Sequence, residues 1–395
     1  MRREMDTTDQ DPTADAARTA PAPQAAPQGV GSGVTPHPGA ARPGTDRRSA
    51  AAQASTDHDP AAAAAPLDLL AMGRVGVDIY PNQIGADLAD VESFGKYIGG
   101  TAANVTVALA RYGHASALWS KVGADSFGDY VIRDLANLYR VDTEFIGRYA
   151  DLPTPVTFCS IKPPEDFPLV FYRSPSAPDM QITTAEVDSP KLAAAIRTAR
   201  IFWTTGTGLS QEPIKSAQLH ALRIRRQSTA STASTARYTI FDLDYRPMFW
   251  PDPDTAHAFI ASALEYHNVI VGNRAECAIA VGEGTPEQQA DRLLAAGAEL
   301  AVVKMGSAGV LGKTATERVV VPPLQVQTVN GLGAGDAFGG ALSHGLLSGW
   351  PLERTLLFAN AAGAYVASQI ACSAAMPDEA AVDQVIAAHR SGNPC

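Results

Sequence analysis

Asn330-Gly-Leu-Gly-Ala-Gly-Asp-Ala-Phe-Gly-Gly-Ala-Leu342 is the run that decides how this chain is read. Gly331, Gly333 and Gly335 lead into Asp336, and beyond it Phe338, Ala341, Leu342 and Leu346 recur at helical spacing. The pattern predicts a glycine-rich loop that runs straight into a helix. The first amides of a helix have no intrahelical partner and lie at the positive end of its dipole. Glycines let an anion approach them without a Cβ in the way. Together these features make a phosphate site. A carboxylate at its mouth is out of place for binding an anion alone. Asp336 fits a base that takes a proton from an attacking hydroxyl. The same run also reads as a plain glycine turn with Asp336 capping a helix, and pattern alone leaves both open.

Upstream of this run, apolar strands alternate with helical patterns. Strands are expected at Ala115–Val122, Ile201–Thr205, Thr239–Leu243, Val269–Gly272 and Leu300–Met305. Helices are expected at Thr101–Tyr112, Phe127–Leu138, Ala256–Tyr266 and Pro286–Ala296. Helices are also expected at Asp336–Gly349 and Leu352–Ile370. That alternation argues for a mostly parallel sheet covered on both faces. Leu67–Tyr80 (LDLLAMGRVGVDIY) reads as one buried strand with glycine breaks. Val156–Lys162 and Leu169–Arg173 flank a Pro-laden turn and read as a hairpin-like pair off the main sheet. Residues 79–98 are expected to add strands to it. Such a small β element predicts a lid over a cleft, or else a decorative edge hairpin.

A second glycine-led run, Gly99-Gly-Thr-Ala-Ala-Asn104, also opens a helix. Asn104 offers both a donor and an acceptor to a sugar hydroxyl. Asp78, at a strand end, offers a carboxylate to vicinal hydroxyls, although an Asp there is more often a turn residue.

Taken together, the Gly99–Gly123 and Asn330–Leu342 runs resemble the two signatures of the PfkB, or ribokinase-like, carbohydrate kinases. The resemblance covers Leu67 to about Ala388. It implies a ribokinase-like three-layer α/β sandwich with a mostly parallel central sheet and a small β lid. It implies Asp336 as catalytic base, with Gly333, Ala334 and Gly335 as the anion hole. It implies sugar contacts at Asp78, Gly99, Gly100 and Asn104, and ATP contacts at Asn273, Lys304, Gly306, Gly309, Gly333 and Asn360. Asn273 and Glu276 match an NxxE motif that helps organise Mg²⁺. Asn330 stands where many members carry an Asp that helps hold a monovalent cation such as K⁺. Asp242–Pro247 (DLDYRP) resembles one form of a DxNxR pattern, with Arg246 either meeting charge on a ligand or closing a structural ion pair. Arg173, in the expected lid, is a further candidate for the substrate.

Within the family, the stretches Gly73–Asn104, Thr154–Arg173, Phe241–Trp250 (FDLDYRPMFW) and Val329–Phe338 (VNGLGAGDAF) resemble a subgroup acting on an acyclic keto-sugar acid of myo-inositol breakdown. That implies transfer to a terminal hydroxyl and ADP as product. Some members of the subgroup continue into an aldolase-like domain, and this chain is expected to supply the kinase activity alone. Competing readings are a kinase for 2-keto-3-deoxygluconate, fructose or ribose, and a catalytically silent sugar-binding regulator. A homodimer through the lid is the partner the family suggests.

The composition sets limits. With 395 residues, 46% hydrophobic and 18% charged, the chain can bury a large core. A net charge of −10 without a basic run argues against nucleic acid. No apolar run approaches the roughly 18 residues of a membrane span, and no apolar segment follows Arg2-Arg3. Cys159, Cys277, Cys372 and Cys395 form no CxxC pair, which suits reduced thiols in the cytoplasm. Residues 1–65, rich in Ala and Pro, are expected to be a disordered tail. The domain is expected to span 66–390, interrupted by a flexible low-complexity insertion at 227–236.

Overall fold

Leu69, Leu70, Ala71 and Met72 are all enclosed, which a strand achieves only between two apolar layers. Leu69 and Ala71 join one core, and Leu70 and Met72 join another on the opposite face. The computed structural model that shows this describes residues 66–163, 167–229 and 235–391. The expected tail at 1–65 lies outside the described residues.

Strands β1 (Leu69–Met72), β4 (Ser116–Gly123), β5 (Ile146–Tyr149), β8 (Ile201–Thr205), β9 (Tyr238–Asp242), β10 (Val269–Asn273), β11 (Leu300–Lys304), β12 (Val310–Lys313) and β13 (Arg318–Val321) form the large sheet. Strands β2 (Gly76–Pro81), β3 (Phe94–Gly99), β6 (Val156–Cys159) and β7 (Leu169–Tyr172) form a second, smaller sheet. The large sheet runs in the order β13-β12-β11-β10-β9-β8-β1-β4-β5. It is parallel from β5 to β11, and β12 and β13 close it antiparallel. Helices Thr101–Arg111, Ser126–Asn137, Ala334–Leu347, Leu352–Ala367 and Glu379–Arg390 cover one face. Helices Pro190–Thr198, Ile214–Thr229, Pro253–Ala263, Arg274–Val281 and Pro286–Ala295 cover the other.

The expected strand through Leu67–Tyr80 is two strands in two sheets. β1 ends at Met72, Gly73 takes φ +150°, and the chain re-enters β structure at Gly76 as part of the smaller sheet. The low-complexity stretch is also placed differently. Gln227–Thr229 complete the helix Ile214–Thr229, and only residues 230–234 lie outside the described residues. That helix buries Ile214, Ala217, Ala221, Leu222 and Ile224 along one stripe. Its Arg225 is enclosed and donates to the carbonyls of Ile196, Ala199, Arg200 and Tyr238. Its abundant polar residues mask the apolar stripe in the sequence.

From β1 the chain steps out to β4 and β5, then returns to β8 on the other side of β1. The crevice beyond the carboxyl ends of β1 and β8 is therefore a topological switch point, where open α/β sheets bind ligands. The smaller sheet stands beside it. In β7, Leu169 and Phe171 line the crevice while Val170 and Tyr172 face solvent, the period-two alternation of a strand covering a cavity.

Candidate active site

Five strand ends deliver side chains to the crevice. Arg74 follows β1, Thr207 follows β8, and Asp244 and Arg246 follow β9. Asn273 ends β10 and Lys304 ends β11. Two helix starts face them, at Thr101 and Ala334.

The helix at 334 begins as the sequence predicts. Gly333 takes φ +80°, a left-handed conformation that a side chain disfavours, and a Cβ there would lie 2.7 Å from Cys372 Sγ. The turn it forms is a wall between two cavities. Leu332, Gly333 and Asp336 line the first, with Asp78, Gly99, Gly100, Asn104, Arg173 and Arg246 around it. Gly331, Ala334 and Gly335 line the second, with Lys304, Gly306, Gly309 and Asn360. The residues expected at the sugar thus share the first cavity, while of those expected at the nucleotide Lys304, Gly306, Gly309 and Asn360 share the second, Gly333 lines the first, and Asn273 lines neither.

In the first cavity Asn104 Nδ2 donates to Asp336 Oδ2 at 2.7 Å. Asn104 is enclosed, and its Oδ1 has no hydrogen-bond partner among the described residues. Loss of solvent pushes the Asp336 carboxyl up to about 6, against the hydrogen bond from Asn104. The nearby Asp244 also raises it, while Arg246 and Arg74 pull it down. Asp78 is pushed up to about 7, again mainly by desolvation, while the hydrogen bond from Tyr80 and the charge of Arg74 oppose the shift. Tyr80 donates to Asp78 Oδ2 at 3.1 Å, and its hydroxyl also lies 2.6 Å from Cys372 Sγ. The Asp78 carboxyl rests on Gly99, where a Cβ would fall 2.1 Å from it. Only glycine fits there. Arg173 faces the cavity and pairs with the enclosed Asp179 at 2.9 Å. Lys162 pairs instead with Asp87 on the outside.

Beneath the cavity lies a group that the sequence shows only in outline. Arg74 Nη2 donates to Asp244 Oδ2 at 2.6 Å and to Thr101 Oγ1 at 2.7 Å. Its Nε donates to Thr207 Oγ1 at 3.2 Å. Arg246 Nε lies 3.0 Å from Asp244 Oδ1. Arg74, Thr207 and Tyr80 were not expected at the site. The available signal was an arginine standing between two apolar runs in LLAMGRVGV.

On the other side of the turn, Lys304 Nζ lies over Gly335, 3.4 Å from where a Cβ would be. Glu276, Asp242 and Asp336 hold its ammonium above the usual range, against desolvation. Asn273 and Glu276 form a reciprocal cap. Asn273 Oδ1 accepts from the Glu276 amide at 2.9 Å, and Glu276 Oε2 accepts from the Asn273 amide at 2.6 Å. Asn360 Nδ2 donates to the Pro322 carbonyl at 2.8 Å. Asn330 is fully enclosed. It donates to the Ile370 carbonyl at 2.7 Å and accepts from the Leu332 amide at 3.0 Å, so both ends of its amide brace the loop.

A family model described as pfkB family carbohydrate kinase matches residues 67–379, nearly all of the described chain. The chain belongs to the pfkB family of carbohydrate kinases.

Among curated relatives, the 5-dehydro-2-deoxygluconokinase of Geobacillus kaustophilus is 30% identical over 334 residues, 83% of this chain and 96% of its own. The protein of that name from Photobacterium profundum is 31% identical over 323 residues, 79% of this chain and 92% of its own. A crystal structure of fructokinase with bound ATP from Xylella fastidiosa superposes with a TM-score of 0.69 at 24% identity, covering 82% of this chain and 98% of that one. The fold is the ribokinase-like one, as the pfkB resemblance implied.

Proposed function

We propose that this chain transfers the γ-phosphoryl group of ATP to the 6-hydroxyl of 5-dehydro-2-deoxy-D-gluconate, giving the 6-phosphate and ADP. The observation that carries the reading is the position of Asp336. It faces the sugar-side cavity from the glycine turn whose other side lines the nucleotide cavity. The substrate class rests on the curated relatives that bear the name 5-dehydro-2-deoxygluconokinase. The arginines of the first cavity suit an acid substrate.

In this reading the sugar lies against Asp78, Gly99, Gly100 and Asn104, with Arg173 above it. Asn104 is bifunctional, since Nδ2 holds Asp336 and the unpartnered Oδ1 accepts from a hydroxyl. Asp336 takes the proton of the attacking hydroxyl, a step typically contributing ~10²–10⁴ in rate. The amides at Gly333, Ala334 and Gly335, with the Lys304 ammonium, receive charge on the transferring group. ATP extends along Gly306, Gly309 and Asn360. The smaller sheet acts as the lid that excludes water.

Mg²⁺ keeps most of its water and phosphate ligands and needs only one or two protein carboxylates. Glu276, with Asn273 beside it, fits that need and would hold the ion that neutralises the phosphates. Asn330 Oδ1 accepts one hydrogen bond, from the Leu332 amide, and keeps a second lone pair that would serve a monovalent cation.

The outer face of the lid carries a row of touching rings, Phe94 against Phe158 and Phe158 against Tyr172. Tyr172 is 64% exposed. This supports a homodimer joined lid to lid. Cys159, Cys277 and Cys372 are free and buried, and no helix of the described residues is long and apolar enough to cross a membrane. Both fit a reaction in the cytoplasm.

The deciding experiment is ADP release with ATP and Mg²⁺ on 5-dehydro-2-deoxygluconate, 2-keto-3-deoxygluconate, fructose and ribose. The first is expected to lead by orders of magnitude in kcat/KM. A lead by another sugar would overturn the substrate, and no turnover of any would overturn the kinase reading.

A further inference from the structure

Asp244 is the most constrained residue of the site. It is enclosed, its φ is +28°, and it stands between two guanidiniums. A non-glycine residue in that conformation is costly and persists where its surroundings over-determine it. The surroundings are explicit here. Arg74 reaches its Oδ2 at 2.6 Å, Thr207 Oγ1 donates to the same oxygen at 3.0 Å, and Thr101 Oγ1 does so at 3.2 Å. Its Oδ1 is turned toward Arg246. Arg74 is buried, whereas the Arg246 side chain is 41% exposed and open to the cavity that holds Asp336. Two cations share one carboxylate, so one positive charge is left over, and it is presented at the Arg246 end.

Burying the Arg74–Asp244 pair is a poor way to gain stability, because apolar residues of similar volume usually serve as well. What the pair supplies is position. It ties the loops after β1, β8 and β9 and the start of the helix at Thr101 into one unit whose projecting arm is Arg246.

We propose that Arg74 and Asp244 are positioning residues for phosphoryl transfer, fixing the Arg246 guanidinium in the sugar-side cavity that Asp336 also lines. This rests on the kinase reading above, in which Asp336 is the base. The groups that face Asp336 electrostatically are Asp78, Arg74, Asp242, Asp244, Arg246, Lys304 and the Cys372 thiol. Among them Asp244 is the leading charge that raises its carboxyl. Neutralising Asp244 therefore removes a repulsion and also leaves the Arg246 charge unbalanced. Both changes move Asp336 the same way, toward a lower pKa.

The test is Asp244→Asn beside Asp244→Glu, with steady-state kinetics across pH 5–9. Asp244→Asn is expected to lower kcat roughly 100-fold, the scale of a misplaced group. KM for ATP should change much less, and the acid limb of kcat/KM should move to lower pH. Asp244→Glu keeps the charge and is expected to keep the limb in place. A folded Asp244→Asn enzyme with kcat within threefold of wild type overturns the proposal. So does a loss of kcat with an unmoved limb, because a merely structural role would lower the active fraction without shifting it. If Asp244→Asn does not fold, the double variant Arg74→Gln/Asp244→Asn removes one charge that raises the Asp336 carboxyl and one that lowers it, so its limb is expected to stay near the wild-type position, and a kcat within threefold of wild type overturns the proposal. Failure of wild type to turn over any sugar sinks the function reading instead, so the two failures are distinguishable.

Discussion

Asn104 and Asp336 lie 232 residues apart in sequence and are joined by a 2.7 Å hydrogen bond across the crevice. Each stands in the first turn of its helix, and each helix is preceded by a glycine with positive φ. The bond favours the ionised form of Asp336. Asn104→Ala is therefore expected to move the acid limb of kcat/KM upward. The loss of a hydrogen bond to a charged group, about 1.5–3 kcal/mol, should lower kcat/KM roughly 10- to 150-fold. Asp336→Asn should lower kcat by ~10²–10⁴ while the protein still binds ATP. Calorimetric titration with ATP separates the two effects, and full turnover by Asp336→Asn would end its assignment as base.

The wild-type pH profile follows from the same carboxyl. A base must be ionised to act, and Asp336 is pushed up to about 6. The rate should fall as pH drops through that value and level off above it. Asp78, pushed up to about 7, should add a second change, visible in KM for the sugar rather than in kcat. A kcat that stays flat down to pH 4.5 contradicts the role.

Gly99→Ala places a methyl group where the Asp78 carboxyl now rests. The carboxyl has to swing away, and its hydrogen bond from Tyr80 goes with it. KM for the sugar is expected to rise at least tenfold, about 1.4 kcal/mol or more. KM for ATP should hold, because Gly99 does not line the nucleotide cavity. Equal increases in both would show that the damage spreads beyond the sugar.

The lid rings give a prediction about assembly. Phe94→Glu with Tyr172→Glu puts two charges into an apolar face. Sedimentation velocity should find wild type as a dimer and the double variant as a folded monomer. A wild-type monomer at micromolar concentration would dismiss the lid-to-lid contact.

Asp242 carries a stability prediction. Burial, with Asp244, Glu276 and Asp336 nearby, pushes its carboxyl up to about 8 against the pull of Lys304. A carboxyl raised above its unfolded value of 3.8 binds its proton more tightly when folded. The stability it lends is complete below the unfolded value and is lost as pH rises through about 8. Asp242→Asn should therefore melt above wild type at pH 8.5, and the gap should close toward pH 4. A gap that does not change with pH refutes the assignment.

The parallel body of the fold was legible because β8 to β11 are apolar runs and the helices Pro253–Ala263 and Pro286–Ala295 show helical spacing, and both glycine runs mark helix starts directly. Arg74 was not legible. Its meaning depends on Asp244, 170 residues away, and on Thr207 and Thr101, and no local pattern pairs them. Asn273 and Glu276 were legible as a motif, yet the structure shows them first as a reciprocal helix cap. The split of Leu67–Tyr80 into two sheets was hidden because β1 and β2 are both apolar. Only Gly73, Arg74 and Val75 lie between them, and composition does not show where a strand changes sheets. The helix Ile214–Thr229 was hidden for the opposite reason, since its polar residues outweigh its buried stripe.

Those three residues between β1 and β2 have a mechanical consequence. Gly73–Val75 is the short tether by which β1 of the larger sheet passes into β2 of the smaller, and Gly100 is the single residue between β3 and the helix Thr101–Arg111. Arg74, at the middle of the tether, is anchored to Asp244, Thr207 and Thr101. Gly100 packs against the Arg74 carbonyl. The cover therefore does not swing on a slack strap. Its root is tied to the arginine brace below, so in the kinase reading a disturbance of either is expected to be felt at the other.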